Sequence, residues 1–226
     1  MERSVTLASP ALRPALALFA AAAFAFAPAL AFAHPHVWVT VRSQIGFSPD
    51  GKVATVTHDW VFDEMYSAFA TQGLAKPGEL IKRETFAPLA RENAGGLADI
   101  GYFTTLRIGG KTAEFAPVND GDYWMEERAD HLVIFHVVLH LKTPTPPGAY
   151  FSLLVADPEY FIDFEFDDNN AISLASAPAG CSASIAKPKP LEDQDKQKLS
   201  ESFFTNLAPG ANFGFKMASS AIVACP

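Results

Sequence analysis

Two histidines one residue apart, His34-Pro35-His36, follow an apolar run that ends in Ala31-Phe32-Ala33. That A-x-A triplet is the small-residue pattern at which an export signal is cut. Cleavage after Ala33 would make His34 the first residue of the mature chain and His36 the third. An α-amino group, with a pKa near 7.7–8.0, can give up its proton to a metal at neutral pH. Together with Nδ1 of the same His34 it can close a chelate ring. His36 repeats on the same side of an extended chain. One amine and two imidazoles are then available at the tip, and nitrogen donors suit Zn²⁺, Cu²⁺, Ni²⁺ or Co²⁺.

The amino-terminal copper/nickel motif that uses a deprotonated amide at the second residue is excluded, because Pro35 has no amide proton. The tip must therefore recruit donors from elsewhere in the fold. The nearest candidates in chemistry are His58, Asp59, Asp63 and Glu64. If strands over 36–47 and 52–62 pair as a hairpin, the end of the second returns to the start of the first. Residues 60–64 then lie near His34. A carboxylate there would be a ligand, or would orient an imidazole. Asp63 and Glu64 also have a purely structural reading as the cap and first turn of a helix. The expected metal set is His34, His36, His58, Asp63 and Glu64, with zinc the leading ion.

The other histidines carry less. His136 and His140 are four apart on a predicted strand, about 13 Å, and cannot share one ion. The sequence predicts them partly buried and hydrogen-bonded, with His136 still able to reach a site built from other strands. His131 falls at a turn. Asp163, Glu165 and Asp167 alternate with Phe164 and Phe166, which reads as an acidic outer face and an aromatic inner one rather than a calcium site. There is no P-loop, dinucleotide fingerprint, G-x-S-x-G or HExxH.

The elements that must position these residues can be read from periodicity. Residues 36–47 alternate, 48–51 (Ser-Pro-Asp-Gly) turn, and 52–62 alternate again, which predicts a β-hairpin. Asp63 opens a helix that buries Met65, Tyr66 and Phe69 and ends at Gly73. A second helix is predicted over about 77–93, with Leu80, Phe86 and Leu89 inward and Gly95-Gly96 as its stop. Short strands with turn signals follow to about residue 177. A helix over 191–204 follows the Lys187-Pro-Lys-Pro190 linker. The expected fold is mainly β (α+β): a β-sandwich-like domain with a helical insertion near 63–94 and a C-terminal helix.

Residues 1–33 are expected to be a signal peptide and 34–226 a single exported domain. No later run reaches the ~18 apolar residues of a membrane span. The 226-residue chain has a net charge of −8. Removing Glu2, Arg3 and Arg13 with the signal makes the mature domain one unit more acidic. That leaves no electrostatic footprint for nucleic acid. Cys181 and Cys225 are the only cysteines. In an oxidising compartment they read most simply as a disulfide, with two thiolate ligands as the lesser alternative.

Several short motifs, in order, resemble an uncharacterised family of bacterial periplasmic proteins. They are His34-Pro35-His36-x-Trp38, Trp60-x-Phe62-Asp63-Glu64 with Ser67, Tyr102-Phe103, and Asp157-Pro158-x-Tyr160 with Cys181 downstream. Members of that family are described as periplasmic components of inferred transport systems, often encoded beside nickel/cobalt-exporter-like permeases, with a zinc role proposed. The resemblance implies a periplasmic accessory protein that works with an inner-membrane metal permease. It carries over His34, His36, Asp63 and Glu64, and adds Asp157 and Tyr160 as second-sphere residues. Some relatives have an acidic, calcium-loop-like stretch before the second helix. Residues 73–79 here lack it. Two rival readings stay open. One is a copper oxidoreductase built on the amino-terminal histidine, with Trp38, Tyr66 and Tyr102 as aromatic neighbours. The other is a metal-free scaffold for a transporter.

Overall fold

The structure is a computed structural model that describes residues 36–76, 78–188 and 212–226. Strict alternation builds its first two strands. In β1 (Val37–Phe47), Val39, Val41, Ile45 and Phe47 are buried while Trp38 and Thr40 face out. In β2 (Val53–Phe62), Val56, Trp60 and Phe62 are buried on the same side. The register sets Val39 opposite Phe62 and Ile45 opposite Val56. The turn between them closes as its residues require, with Ser48 N donating to Lys52 O at 2.8 Å and Gly51 at φ 77°.

After the hairpin come α1 (Glu64–Thr71), α2 (Arg83–Asp99), β3 (Thr104–Ile108), β4 (Lys111–Thr112), β5 (Tyr123–Glu127), β6 (Val133–Thr145), β7 (Tyr150–Val155), β8 (Ile162–Phe166), β9 (Ile172–Ala175), β10 (Ser182–Ala186), α3 (Phe213–Met217) and β11 (Ser220–Ala224). The strands form two sheets. The first has the order β5-β6-β2-β1-β8, with β9 also on β1; the second has the order β10-β11-β7-β3-β4. Val41, Trp60 and Phe135 from the first sheet share one apolar core with Leu106, Phe151 and Val223 from the second. The fold is thus mainly β, two sheets with a helical insertion and a helix near the C-terminus. The helix expected over 191–204 lies outside the described residues; the C-terminal helix described is α3.

The insertion departs from the sequence expectation in two ways. Met65 and Phe69 were expected inward but are 65 % and 75 % exposed. The rotation of α1 is set instead by Ser67, which is buried. Its hydroxyl accepts from Val133 N at 3.0 Å and reaches Phe62 O at 3.4 Å. Satisfying a buried backbone N–H at the start of β6 outweighs the burial of two apolar side chains on a helix of two turns. Tyr66 does turn inward and stacks on Phe62, with ring centroids 4.1 Å apart.

The second helix starts at Arg83 rather than near 77 and runs through Gly95-Gly96 to Asp99. Leu80 precedes it and is exposed, while Phe86 is fully buried as expected. Each glycine costs the helix about 1 kcal/mol relative to alanine. Packing of Ala90, Ala94 and Leu97 in the core beyond β5 offsets that cost.

Strands β10 and β11 carry too little hydrophobic contrast to be read in advance: Ser-Ala-Ser-Ile-Ala and Ser-Ala-Ile-Val-Ala. Their register sets Ser182 opposite Ala224, and the flanking Cys181 and Cys225 form a disulfide across 44 residues. In the chain-entropy account a loop of that length is worth about 4 kcal/mol. Replacing both cysteines with serine is expected to lower the unfolding free energy by about that amount in urea melts, with reduction of the parent protein reproducing the loss.

Candidate functional site

The start of β1 lies between the end of β2 and the start of β8. On the β2 side one carboxylate organises the backbone. Asp63 Oδ2 accepts from Trp38 N at 2.8 Å, and Asp63 Oδ1 accepts from Tyr66 N at 2.8 Å as the N-cap of α1. Asp63 N in turn donates to Trp38 O at 3.0 Å. Glu64 follows, exposed, in the first turn of α1. The expected return of residues 60–64 to the beginning of the first strand is therefore what the hairpin does, and the structural reading of Asp63 as a cap is also correct.

On the other side β8 runs parallel to β1, pairing Val37 with Ile162 and Trp38 with Asp163. His36 N donates to Phe161 O at 2.8 Å, and the His36 ring rests on the Phe161 ring at 4.6 Å. The loop that presents Phe161 is shaped by Asp157, which is buried. Its Oδ1 accepts from Glu159 N, and its Oδ2 accepts from Phe161 N and Ile162 N, at 2.9–3.0 Å. Asp157 thus acts on the tip through the backbone it folds.

Tyr160 sits in the left-handed region at φ 58° and donates its hydroxyl to Asp163 Oδ2 at 3.3 Å. Burial, then the charges of Asp163 and Glu165, push the Tyr160 phenol up to about 12. It stays protonated at neutral pH. Burial, and next the Glu165 charge, raise the Asp163 carboxyl as well. Tyr160 and Asp163 also line a cleft with Glu165, Asp167, Asp168 and Lys187, in which Asp167 is paired with Arg42 at 2.8 Å and Asp168 lies 4.0 Å from Lys187.

His34 lies outside the described residues. Of the other expected donors, His36, Asp63 and Glu64 belong to this end of the first sheet. His58 does not join them. It is fully buried opposite Ser43, in mid-sheet. Its Nδ1 is 2.8 Å from Ser43 Oγ and its Nε2 is 3.1 Å from Thr104 Oγ1. Thr104 already gives its hydroxyl proton to Tyr102 O at 2.7 Å. It must therefore accept from Nε2–H, and Nδ1 must accept from Ser43. This relay joins β1 and β2 of the first sheet to β3 of the second. It also holds the carbonyl of Tyr102, which with Phe103 occupies the left-handed region at φ 56° and 48°. Burial lowers the His58 pKa to about 3, so the ring is neutral.

Asp59, grouped in sequence with the tip, faces the outer side of the first sheet and pairs with His136 Nδ1 at 2.6 Å. His140 pairs with Asp122 at 3.2 Å and His131 with Glu127 at 2.8 Å. The cross-strand register that sets Asp59 opposite His136 is the signal that would have found the first of these pairs. Among the described residues, no group of three or more His, Cys, Asp or Glu is placed to hold a metal ion. The donor types at the tip, an imidazole and carboxylates, suit a borderline metal.

The chain belongs to a family described as a protein of unknown function, DUF1007, which matches residues 19–225. No curated protein matches it. Among the described residues no helix is long and apolar enough to cross a membrane.

Two consequences of this geometry can be measured. Asp63→Ala removes a helix cap and the clamp on Trp38, and is expected to destabilise the protein by about 2 kcal/mol in denaturant melts. The unfolded His58 takes up a proton below its ordinary pKa of 6.5, whereas the folded one does so only near 3. Its contribution is therefore intact above pH 6.5 and is lost progressively towards pH 3. Between pH 6.5 and about 4.5 the loss amounts to about 2 kcal/mol. A His58→Gln variant should show a flatter acid limb by that margin in stability measured against pH.

Proposed function

We propose that the mature chain is a periplasmic metal-binding accessory protein, with zinc as the leading ion and nickel, cobalt or copper as alternatives. It exchanges that ion with an inner-membrane permease of the nickel/cobalt-exporter type. The observation that carries the reading is the position of His36. It enters β1 where Asp63 grips the neighbouring backbone on one side and the Phe161 loop grips it on the other.

Such a seat gives a nitrogen-rich tip a fixed base. In this reading His34 supplies an amine and an imidazole, and His36 a second imidazole. Glu64, exposed in the first turn of α1, supplies a carboxylate. Asp63 accepts one backbone N–H on each oxygen, and each oxygen keeps a further lone pair. It therefore either joins the ion or holds the strand that does. Asp163 and Glu165 add negative potential that favours a cation over an anion at this end. An ion held by few protein donors on an exposed strand end suits handover better than permanent storage.

Export rests on the A-x-A signal, and the disulfide suits an oxidising compartment. The permease partner rests on the sequence resemblance. Membership of a family of unknown function supplies no ligand.

The test is zinc competition against a chelator, using exported protein whose first residue has been established by N-terminal sequencing. The tight site should be present in the parent and lost in His34→Ala/His36→Ala. Affinity should fall below about pH 6, where imidazole takes a proton instead of the ion. Equal tight binding by both proteins, or a mature chain that begins ahead of His34 and binds as well, would remove the proposal.

A further inference from the structure

A second set of groups on the outer face of the first sheet has the marks of a metal site. It lies in mid-sheet, away from the start of β1. His136 on β6 is 9 % exposed. Its Nδ1 is 2.6 Å from Asp59 Oδ1 on β2. The hydrogen bond to His136 is the main reason the Asp59 carboxyl is held below its usual range, so Asp59 is an anion at neutral pH. A carboxylate that accepts a hydrogen bond from Nδ1–H holds the proton on that nitrogen and leaves the lone pair on Nε2, the arrangement that primes imidazole for a metal.

That Nε2 is buried and has no hydrogen-bond partner among the described residues. A buried orphan of this kind requires a physical account. Across from it, Glu126 Oε1 on β5 lies 3.5 Å away, on a side chain that is 48 % exposed. Two donors bound at 2.0–2.1 Å to one tetrahedral ion sit roughly 3.3 Å apart. Nε2 and Oε1 are thus already at nearly the spacing one ion imposes, and Glu126 is mobile enough to supply the remainder. The imidazole plane is fixed by Trp124, stacked at 4.5 Å and 12°. Arg83 lies over the Trp124 ring at 4.7 Å, and Arg42 is turned towards Asp167 at 2.8 Å.

We infer that His136 and Glu126 form a binding site for a divalent transition-metal ion, with Asp59 as the residue that orients the imidazole. Two protein donors make it a weak site, and the half-exposed Glu126 side chain marks the side from which an ion would enter. The competing account uses the same distances: a protonated His136 bridging Asp59 and Glu126 as an ion pair.

The experiment is nitrogen NMR on ¹⁵N-histidine-labelled mature protein carrying His34→Ala/His36→Ala, so that the tip contributes nothing. Added Zn²⁺ should shift the His136 Nε2 resonance, with the Nδ1 proton kept on the bond to Asp59. Glu126→Gln, an exposed change that leaves the sheet intact, should weaken zinc binding roughly tenfold or more. Asp59→Asn should weaken it by about 10–100-fold, with the bare nitrogen switching position on the ring. A His136 that stays doubly protonated in millimolar Zn²⁺, an Nε2 resonance unmoved by it, or full affinity in Glu126→Gln would overturn the site. None of these outcomes bears on the tip, which is tested by the opposite comparison.

Discussion

The Asp63 carboxylate is the point on which this end of the molecule turns. One oxygen takes the N–H of Trp38 as the chain enters the first sheet, and the other takes the N–H of Tyr66 as the chain leaves it for a helix. A hydrogen bond to a charged acceptor is worth more than a neutral one. Here two such bonds meet on one side chain. Strand entry, strand exit and helix direction are thereby fixed against each other. The start of β1 inherits its position from this clamp, and α1 projects Met65 and Phe69 outward from the same anchor.

The interior is held together differently. Most of it is apolar interdigitation between two sheets, which is strong but has no preferred angle. The Ser43–His58–Thr104 relay adds direction. Each member is satisfied, as a buried polar group must be. The chain of donors ends on the carbonyl of Tyr102, where the backbone takes a costly conformation for two residues in succession. The strain at Tyr102-Phe103 and the polar bridge are two aspects of one device, which sets how β3 leaves α2 and enters the second sheet.

What could be read from the sequence follows from where the information is local. Alternation in 37–47 and 53–62, the Ser-Pro-Asp-Gly turn and the Asp63 cap are each encoded within a few residues, and each is as expected. The rotation of α1 is not local: it depends on Val133, 66 residues away, needing the Ser67 hydroxyl. The fate of His58 is not local either, since a histidine on an apolar strand face looks the same whether its neighbours are ligands or hydroxyls. Asp59 was placed near the tip by proximity along the chain. The strand pairing with β6 sends it to the opposite face and gives it to His136. Strands β10 and β11 are not legible in the sequence because small residues bury well but leave no period.

β1 is an interior strand whose parallel neighbours, β8 and β9, come from the last third of the chain. The start of β1 therefore has no complete setting until residues beyond 160 have been made and have folded against it. Long-range pairing of this sort is slow to form. The order of synthesis therefore ties the seating of His36 to completion of the later strands: until they arrive, the Asp63 side of its setting stands without the Phe161 side.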